Sequence, residues 1–370
     1  MLCAGTFINR FGSFVVPFLV LHLTRLGHSP ARAGFAVAAY GTGHLIASIV
    51  GGYLADRIGR RKTIAFSMFA GAGAMLALSQ AHDFEMIVGL TALLGLASEM
   101  HRPAASALIV DLVPVEQRVT AFALFRLSIN AGFAFGPATA GFLAEKSFVW
   151  LFWGDALTSA VFGVIALIAL PRGIRNASAI SHWAEELKTV CADRRLIVFL
   201  TAVFPATVVF FQMTSSLALH VKSVGLSSAA YGMLISLNGL IIILFELPLT
   251  AYTQRLPARP VIAAGYFLTG LGYAVTYFAR DAWTLAGTVM IWTLGEMFSA
   301  PVATAYIASL APENLRGRYM GLFSFTWSLG LMTGPALGTA MFANSPGQLF
   351  LLCGALGTIS ALMVLASARK

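Results

Sequence analysis

Runs of about 20 consecutive apolar residues recur from one end of this sequence to the other, separated mostly by short loops that hold the charges. In lipid such a run can satisfy its backbone polar groups only as a helix or within a closed barrel, and runs of this length fit helices. The chain of 370 residues is 58% hydrophobic and 11% charged, where a soluble domain carries about a quarter charged residues. A soluble globular fold is thereby excluded. The net charge of +9 does not point to nucleic acid, because the basic residues sit in short loops rather than along one face. Cys3, Cys191 and Cys353 are far apart, which argues against a metal site or a disulfide framework. The first apolar run lacks a basic lead-in and reads as a spanning helix rather than a cleavable signal.

Twelve spans are expected, at approximately 2–24, 31–55, 63–81, 85–110, 119–142, 149–170, 196–219, 229–252, 261–279, 283–309, 319–342 and 348–366. The one long loop, 171–195, holds Ser181, Trp183, Glu185, Glu186 and Lys188, and reads as a cytoplasmic linker with an amphipathic surface helix. With both termini in the cytoplasm, 16 lysines and arginines fall in inner loops and 5 in outer loops. That asymmetry sets the topology.

A constant offset of 198 residues relates the two halves. It maps His22 to His220, Gly27 to Gly225, Arg57 to Arg255, Pro103 to Pro301, Arg118 to Arg316 and Gly136-Pro137 to Gly334-Pro335. The expected fold is therefore an all-α membrane protein of 12 transmembrane helices in two pseudo-symmetric six-helix bundles. These cover 1–170 and 196–370, with the linker at 171–195 and a substrate path between the repeats.

The strongest local pattern is Gly52-Tyr53-Leu54-Ala55-Asp56-Arg57-Ile58-Gly59-Arg60-Arg61-Lys62, after the second span. Its glycines permit a tight turn. Asp56 can accept from Arg60 or cap the next helix, and the basic run meets anionic lipids at the cytoplasmic face. A second pattern, in the fifth span, is Arg126-x-x-x-Asn130-x-Gly132-x-x-x-Gly136-Pro137-x-x-x-Gly141. Glycines four apart let a neighbouring backbone come close, and Pro137 is expected to add a local break in the hydrogen-bond ladder.

The first pattern resembles the loop signature of the major facilitator superfamily, where the loop is implied to latch one conformation during alternating access. The second-half copy is degraded, with Thr250 and Gln254 at the positions of Gly52 and Asp56. The second pattern is similar to the glycine-proline signature of that superfamily's drug:proton antiporters, although close packing alone would also select it. Asn9-Arg10, Gly12, Pro17, Arg102-Pro103, Asp111 and Arg126 look like the MdtH-like multidrug branch. One departure counts against a full transfer. Where many of these antiporters carry an arginine early in the fourth span, this chain has Val88-Gly89-Leu90, so that arginine's proton-relay role does not carry over.

Ionisable residues inside spans mark function or a partner. Glu99 and Glu296 both fall near the expected midplane and are candidates for proton or cation binding. Glu99 could instead pair with Arg102 on the same helix face, whereas Glu296 has no near partner in sequence. Arg10, Arg102 and Arg126 form a positive set in one half. They could pair with Glu99 and Asp111 as a structural network, or hold an anionic substrate group. Glu246 is assigned to the gate, Asp155 to helix packing, and His44 either to titration or to packing. His22 and His220 are assigned to interface anchoring at outer helix ends. Phe14, Phe18, Phe211, Gln212, Met213, Trp292 and Met297 are expected cavity-lining residues, though all are ordinary in membrane helices.

The expected function is secondary active transport by alternating access. The favoured form is proton-coupled efflux of hydrophobic or amphipathic small molecules from a bacterial inner membrane. The alternative is a proton-coupled or facilitative carrier of a metabolite such as a sugar or organic anion. No cofactor, metal or nucleic acid is expected, and the chain is expected to work as a monomer. An enzyme is disfavoured because H-E-x-x-H, G-x-S-x-G and Walker patterns are missing from the sequence.

Overall fold

The computed structural model describes residues 1–114, 117–173, 189–312 and 315–366, without the side chain of Val119. Among them are fifteen α-helices. They are α1 (Leu2–Phe11), α2 (Val15–Arg25), α3 (Pro30–Arg57), α4 (Arg60–Leu78), α5 (Phe84–Glu99), α6 (His101–Leu112), α7 (Arg118–Lys146) and α8 (Val149–Ala169). Then follow α9 (Arg194–Phe210), a 3-10 turn (Phe211–Thr214), α10 (Ser216–Ser223), α11 (Ser228–Thr253), α12 (Ala258–Thr276), α13 (Ala282–Leu310), α14 (Arg316–Asn344) and α15 (Pro346–Ala366). The expected amphipathic helix of the linker lies mostly outside the described residues.

Each of the twelve expected spans is helical, and three of them, the first, fourth and seventh, are built from two helical pieces. Among the described residues nine segments are long and apolar enough to cross a membrane. The other three expected spans are α4, α12 and α14, of which α4 opens on Arg60-Arg61-Lys62 and α14 contains Arg316 and Arg318. Large apolar side chains such as Phe35, Ile49, Phe66, Trp153, Ile168 and Leu247 stand exposed on the helix surfaces, as a lipid-facing wall requires.

The chain divides into two compact units. One comprises Met1–Ala179 with Ser227–Leu240, the other Ile180–Leu226 with Ile241–Lys370. The first turns of α11 thus pack with the first unit, where Tyr231 Oη donates to the Pro17 carbonyl at 3.0 Å. In the first unit Ile64, Met68, Leu108 and Phe162 form the centre of one apolar core. In the second, Phe199, Ile262, Ile307 and Val364 do the same.

The 198-residue repeat appears in local geometry. Gly27 has φ +92° and Gly225 φ +81°, and each closes the preceding helix with the same pair of backbone bonds. In the first half His28 N bonds to Leu23 O and Gly27 N to Thr24 O; in the second Leu226 N bonds to Val221 O and Gly225 N to Lys222 O. This left-handed cap strongly favours glycine. His22 packs on Phe148 and Phe152, and His220 on Phe342 and Phe350, so Phe152 and Phe350 are repeat mates as well. Burial of His220 departs from the interface anchoring expected of it, whereas His22 is half-buried at the end of α2. His220 is buried with Nε2 3.0 Å from Ala279 O, and both rings pack inside their units.

Candidate functional site

The first unit gathers its polar residues around a break in the fourth span. Pro103 has no N–H to return to the Glu99 carbonyl, and the helix breaks at Met100, between α5 and α6. His101 N bonds instead to Ser67 Oγ at 3.1 Å. The repeat mate Pro301 lies inside continuous α13, so only the first half breaks there.

Glycines bring α3 against this break. A Cβ at Gly43 would lie 2.0 Å from Ala92 O, one at Gly95 2.2 Å from Tyr40 O, and one at Gly51 2.4 Å from Met100 O. Backbone contact of this kind admits no side chain and carries Tyr40 and His44 to Glu99.

Glu99 is buried and shared by four residues. Tyr40 Oη donates to its Oε1 at 2.9 Å, and Arg10 Nη2 lies 3.5 Å from each carboxylate oxygen. His44 Nε2 stands 3.7 Å away, and Arg102 Nε pairs with Oε2. Arg102 is half exposed, while Arg10 and Glu99 are largely enclosed. One carboxylate thus answers two guanidiniums, so the cluster carries excess positive charge even with His44 neutral. Among the described residues Glu99 is the one carboxylate of the cluster, so neutralising it would leave Arg10 and Arg102 without their counter-charge.

The structure joins Arg10 and Arg102 to Glu99, as the network reading had it, and adds His44, which no reading had placed there. Tyr40, 59 residues away in sequence, was missed. Arg126 is exposed on α7 and Asn130 half-buried one turn on. Asp111 does not complete the Glu99 cluster; it pairs with Arg60 (Nε–Oδ2 3.1 Å). Glu296 is half-buried on α13 in the second unit, as is Glu246 on α11.

The glycine-proline pattern abuts the same cluster. A Cβ at Gly132 would lie 2.6 Å from Arg10 Cβ, and one at Gly136 2.4 Å from Phe11 O. Further along α7, Gly141 faces Ser228 O, and the Pro137 carbonyl faces Gly232. At Pro137 the ladder breaks locally, as expected: proline has no N–H and Ala138 N bonds to Ser236 Oγ of α11 at 2.8 Å, while α7 runs on from Arg118 to Lys146. Of the expected cavity residues, Phe14, Phe18, Gln212, Met213, Trp292 and Met297 are buried and Phe211 is half-buried. Trp292 stacks on Tyr273, and Phe18 meets Tyr231 edge-on.

In the loop pattern, Asp56 accepts from Arg60 Nη1 at 2.8 Å and does not cap α4. Gly59 supplies the turn with φ +95°. Arg60 Nη1 also reaches Ala55 O at 2.8 Å, and Arg57 bonds to Tyr53 Oη at 2.5 Å. Gly52 has open space where its Cβ would stand, and Arg61 begins α4 beside Arg60. In the second half Arg259, the mate of Arg61, takes Tyr306 Oη as its acceptor at 2.8 Å.

The family model described as Major Facilitator Superfamily matches residues 2–229 and 214–369. The chain belongs to the major facilitator superfamily. Members of this family are membrane transporters of small molecules rather than enzymes. The chain is 26% identical to the quinolone resistance protein NorA of Staphylococcus aureus strain COL over 335 residues, covering 89% of this chain and 85% of that protein. It is 23% identical over 396 residues to a Na(+), Li(+), K(+)/H(+) antiporter of Planococcus maritimus, covering 97% and 92%. An uncharacterized MFS-type transporter of Bacillus subtilis strain 168, YttB, is 26% identical over 348 residues, covering 91% and 86%. Among solved structures, a mutant form of the nucleoside transporter NupG superposes with TM-score 0.83 at 14% identity, covering 100% of both chains. A D-xylose-proton symporter gives 0.81 at 15%, covering 98% and 95%. These structures establish the shared fold.

Proposed function

We propose that this transporter is a proton-coupled exporter of amphipathic small molecules, working by alternating access. On this reading it sits in a bacterial plasma membrane with both termini cytoplasmic, and Glu99 exchanges the coupling proton. The observation that supports it is Glu99 itself, a buried carboxylate held by Arg10, Arg102, Tyr40 and His44, with Arg10 in turn seated against the Gly132–Gly136 stripe. Gain or loss of its proton changes the charge that the two arginines face, and Arg10 is seated against α7. The similarity to NorA and to a cation/proton antiporter supports export by exchange.

A second reading has one observation in its favour. Two guanidiniums against one carboxylate would suit a substrate with an anionic group, as in a metabolite carrier. Proteoliposomes loaded with a panel of cationic, neutral and anionic dyes, with and without an imposed pH gradient, distinguish the two. Gradient-driven efflux of cationic or neutral dyes that is lost in Glu99→Gln supports the exporter. Movement of anionic compounds alone favours the carrier, and an unaltered gradient response in Glu99→Gln removes Glu99 from the mechanism.

A further inference from the structure

The first span is broken at Gly12–Phe14, between α1 and α2, and no side chain of its own caps α2. The cap comes from α8. Asp155 Oδ2 accepts from Val15 N at 3.3 Å, while Phe14 N bonds to Gly12 O at 2.7 Å within the break. A carboxylate at a helix N-terminus satisfies free amides and favours the positive end of the helix dipole.

Other residues of α8 grip the same break. A Cβ at Gly12 would fall 1.8 Å from Thr158 Oγ1, and one at Gly154 2.9 Å from the Phe14 ring. Asn9 Nδ2 donates to Ser159 Oγ at 3.1 Å. Its neighbour Arg10 turns the other way, to Glu99. The end of α1 therefore has one side chain fixed to α8 and the next on the Glu99 carboxylate, while Asp155 fixes the start of α2.

The repeat shows that a broken span does not require an acid. At the same offset the seventh span breaks at Phe211–Ser215, and Gln212 stands where Phe14 stands in the first half. Gln212 Nε2 donates to Val208 O and Gly334 O, and its Oε1 accepts from Ser216 Oγ at 2.7 Å. Cys353 occupies the position of Asp155. The second-half break is closed by a neutral amide of its own segment, and the first-half break by an ionisable group from another helix.

We propose that Asp155 is a positioning residue for transport: by fixing the first-span break to α8 it sets the reach of Arg10 to Glu99. This rests on Glu99 as the coupling acid. The charged groups whose fields act on Asp155 are Arg10 on α1 and Glu99 on α5. On the other packed elements, His22 of α2 lies against Phe148 and Phe152, α4 carries its basic residues at Arg60, Arg61 and Lys62, and α7 has the exposed Arg126.

The test is the pH profile of gradient-driven efflux in proteoliposomes for Asp155→Ala and Asp155→Asn, each alone and combined with Arg10→Gln. A carboxylate that loses a neighbouring cation holds its proton to higher pH. Asp155→Ala, which frees the break, is expected to move the profile to higher pH. Asp155→Asn keeps an acceptor for Val15 N and removes only a distant negative charge, so its profile stays near the wild type or moves slightly to lower pH. In the Arg10→Gln background Asp155→Ala should add no further shift. A folded Asp155→Ala variant with the wild-type profile overturns the proposal, as does an equal shift in both backgrounds. Should Asp155→Ala fail to fold, an Asn profile displaced upward by itself overturns it, and a near wild-type Asn profile supports it. Glu99→Gln separates the two readings: if that variant still responds to the gradient, the coupling acid is misassigned; if it does not, a null result at Asp155 refutes only the positioning role.

Discussion

Arg60 ties Asp56 to Asp111: Nη1 donates to Asp56 Oδ1 at 2.8 Å and Nε to Asp111 Oδ2 at 3.1 Å. The two arms differ in burial, with the Asp111 side chain 12% exposed and that of Asp56 39%. Removing a buried partner strands an opposite charge, at a cost of about 3 kcal/mol, whereas an exposed i,i+4 pair contributes about 0.5 kcal/mol. Thermal unfolding in detergent should therefore show Arg60→Ala far less stable than wild type and Asp56→Ala nearly unchanged. Equal losses would mean that Asp56, and not Asp111, is the main anchor of this loop.

The two glycine patterns make opposite demands. A Cβ at Gly136 meets the Phe11 carbonyl at 2.4 Å, and backbone cannot swing aside; a Cβ at Gly52 meets nothing within 4 Å. Overpacking at a tight contact costs about 1–3 kcal/mol. Gly136→Ala should lower stability and impair transport together, because the displaced segment carries Arg10. Gly52→Ala should leave stability within about 0.5 kcal/mol of wild type. Should it nevertheless reduce transport, the need for glycine at 52 arises in another state of the cycle.

Tyr40→Phe keeps the ring and deletes the hydroxyl that donates to Glu99 Oε1. A hydrogen bond to a charged group is worth about 1.5–3 kcal/mol, and losing it favours the protonated acid. The pH profile of efflux should move to higher pH by about one unit, with substrate affinity little changed. A profile that stays in place would separate Tyr40 from the coupling step.

What the sequence made readable follows from how local the cause is. Helix existence follows from apolar run length, and Gly59 at φ +95° and the Asp56–Arg60 pair lie within one loop. The repeat was visible because Gly27 and Gly225 fill the same left-handed cap. Glu99 with Arg102 was accessible from their spacing of three. Tyr40 on Glu99 and Asp155 on Val15 were not, since both depend on which helices adjoin and how each is rotated about its axis. Backbone contacts at Gly43, Gly51 and Gly95 fix the first of these, and glycine spacing alone does not identify the partner helix.

Asp193 stands outside the spans, just ahead of α9, and makes the clearest case for pH-dependent stability. Its Oδ1 accepts from Arg195 N at 2.8 Å and Leu196 N at 3.4 Å, and Oδ2 from Tyr319 Oη at 2.5 Å. Partial burial pushes its proton affinity up, but the Tyr319 hydroxyl, the two amides and the nearby Arg195 outweigh it and hold the carboxyl below its ordinary range. A carboxylate depressed in the folded state contributes stability above its unfolded pKa of about 3.9 and loses it as pH falls through the folded value. Asp193→Ala should thus cost about 1 kcal/mol at neutral pH, the usual worth of an N-cap, and progressively less below about pH 4. Unfolding in detergent between neutral and acid pH, with Tyr319→Phe in parallel, measures this. If the gap between wild type and Asp193→Ala stays constant down to pH about 2, the ionised carboxylate is not what stabilises this end of α9.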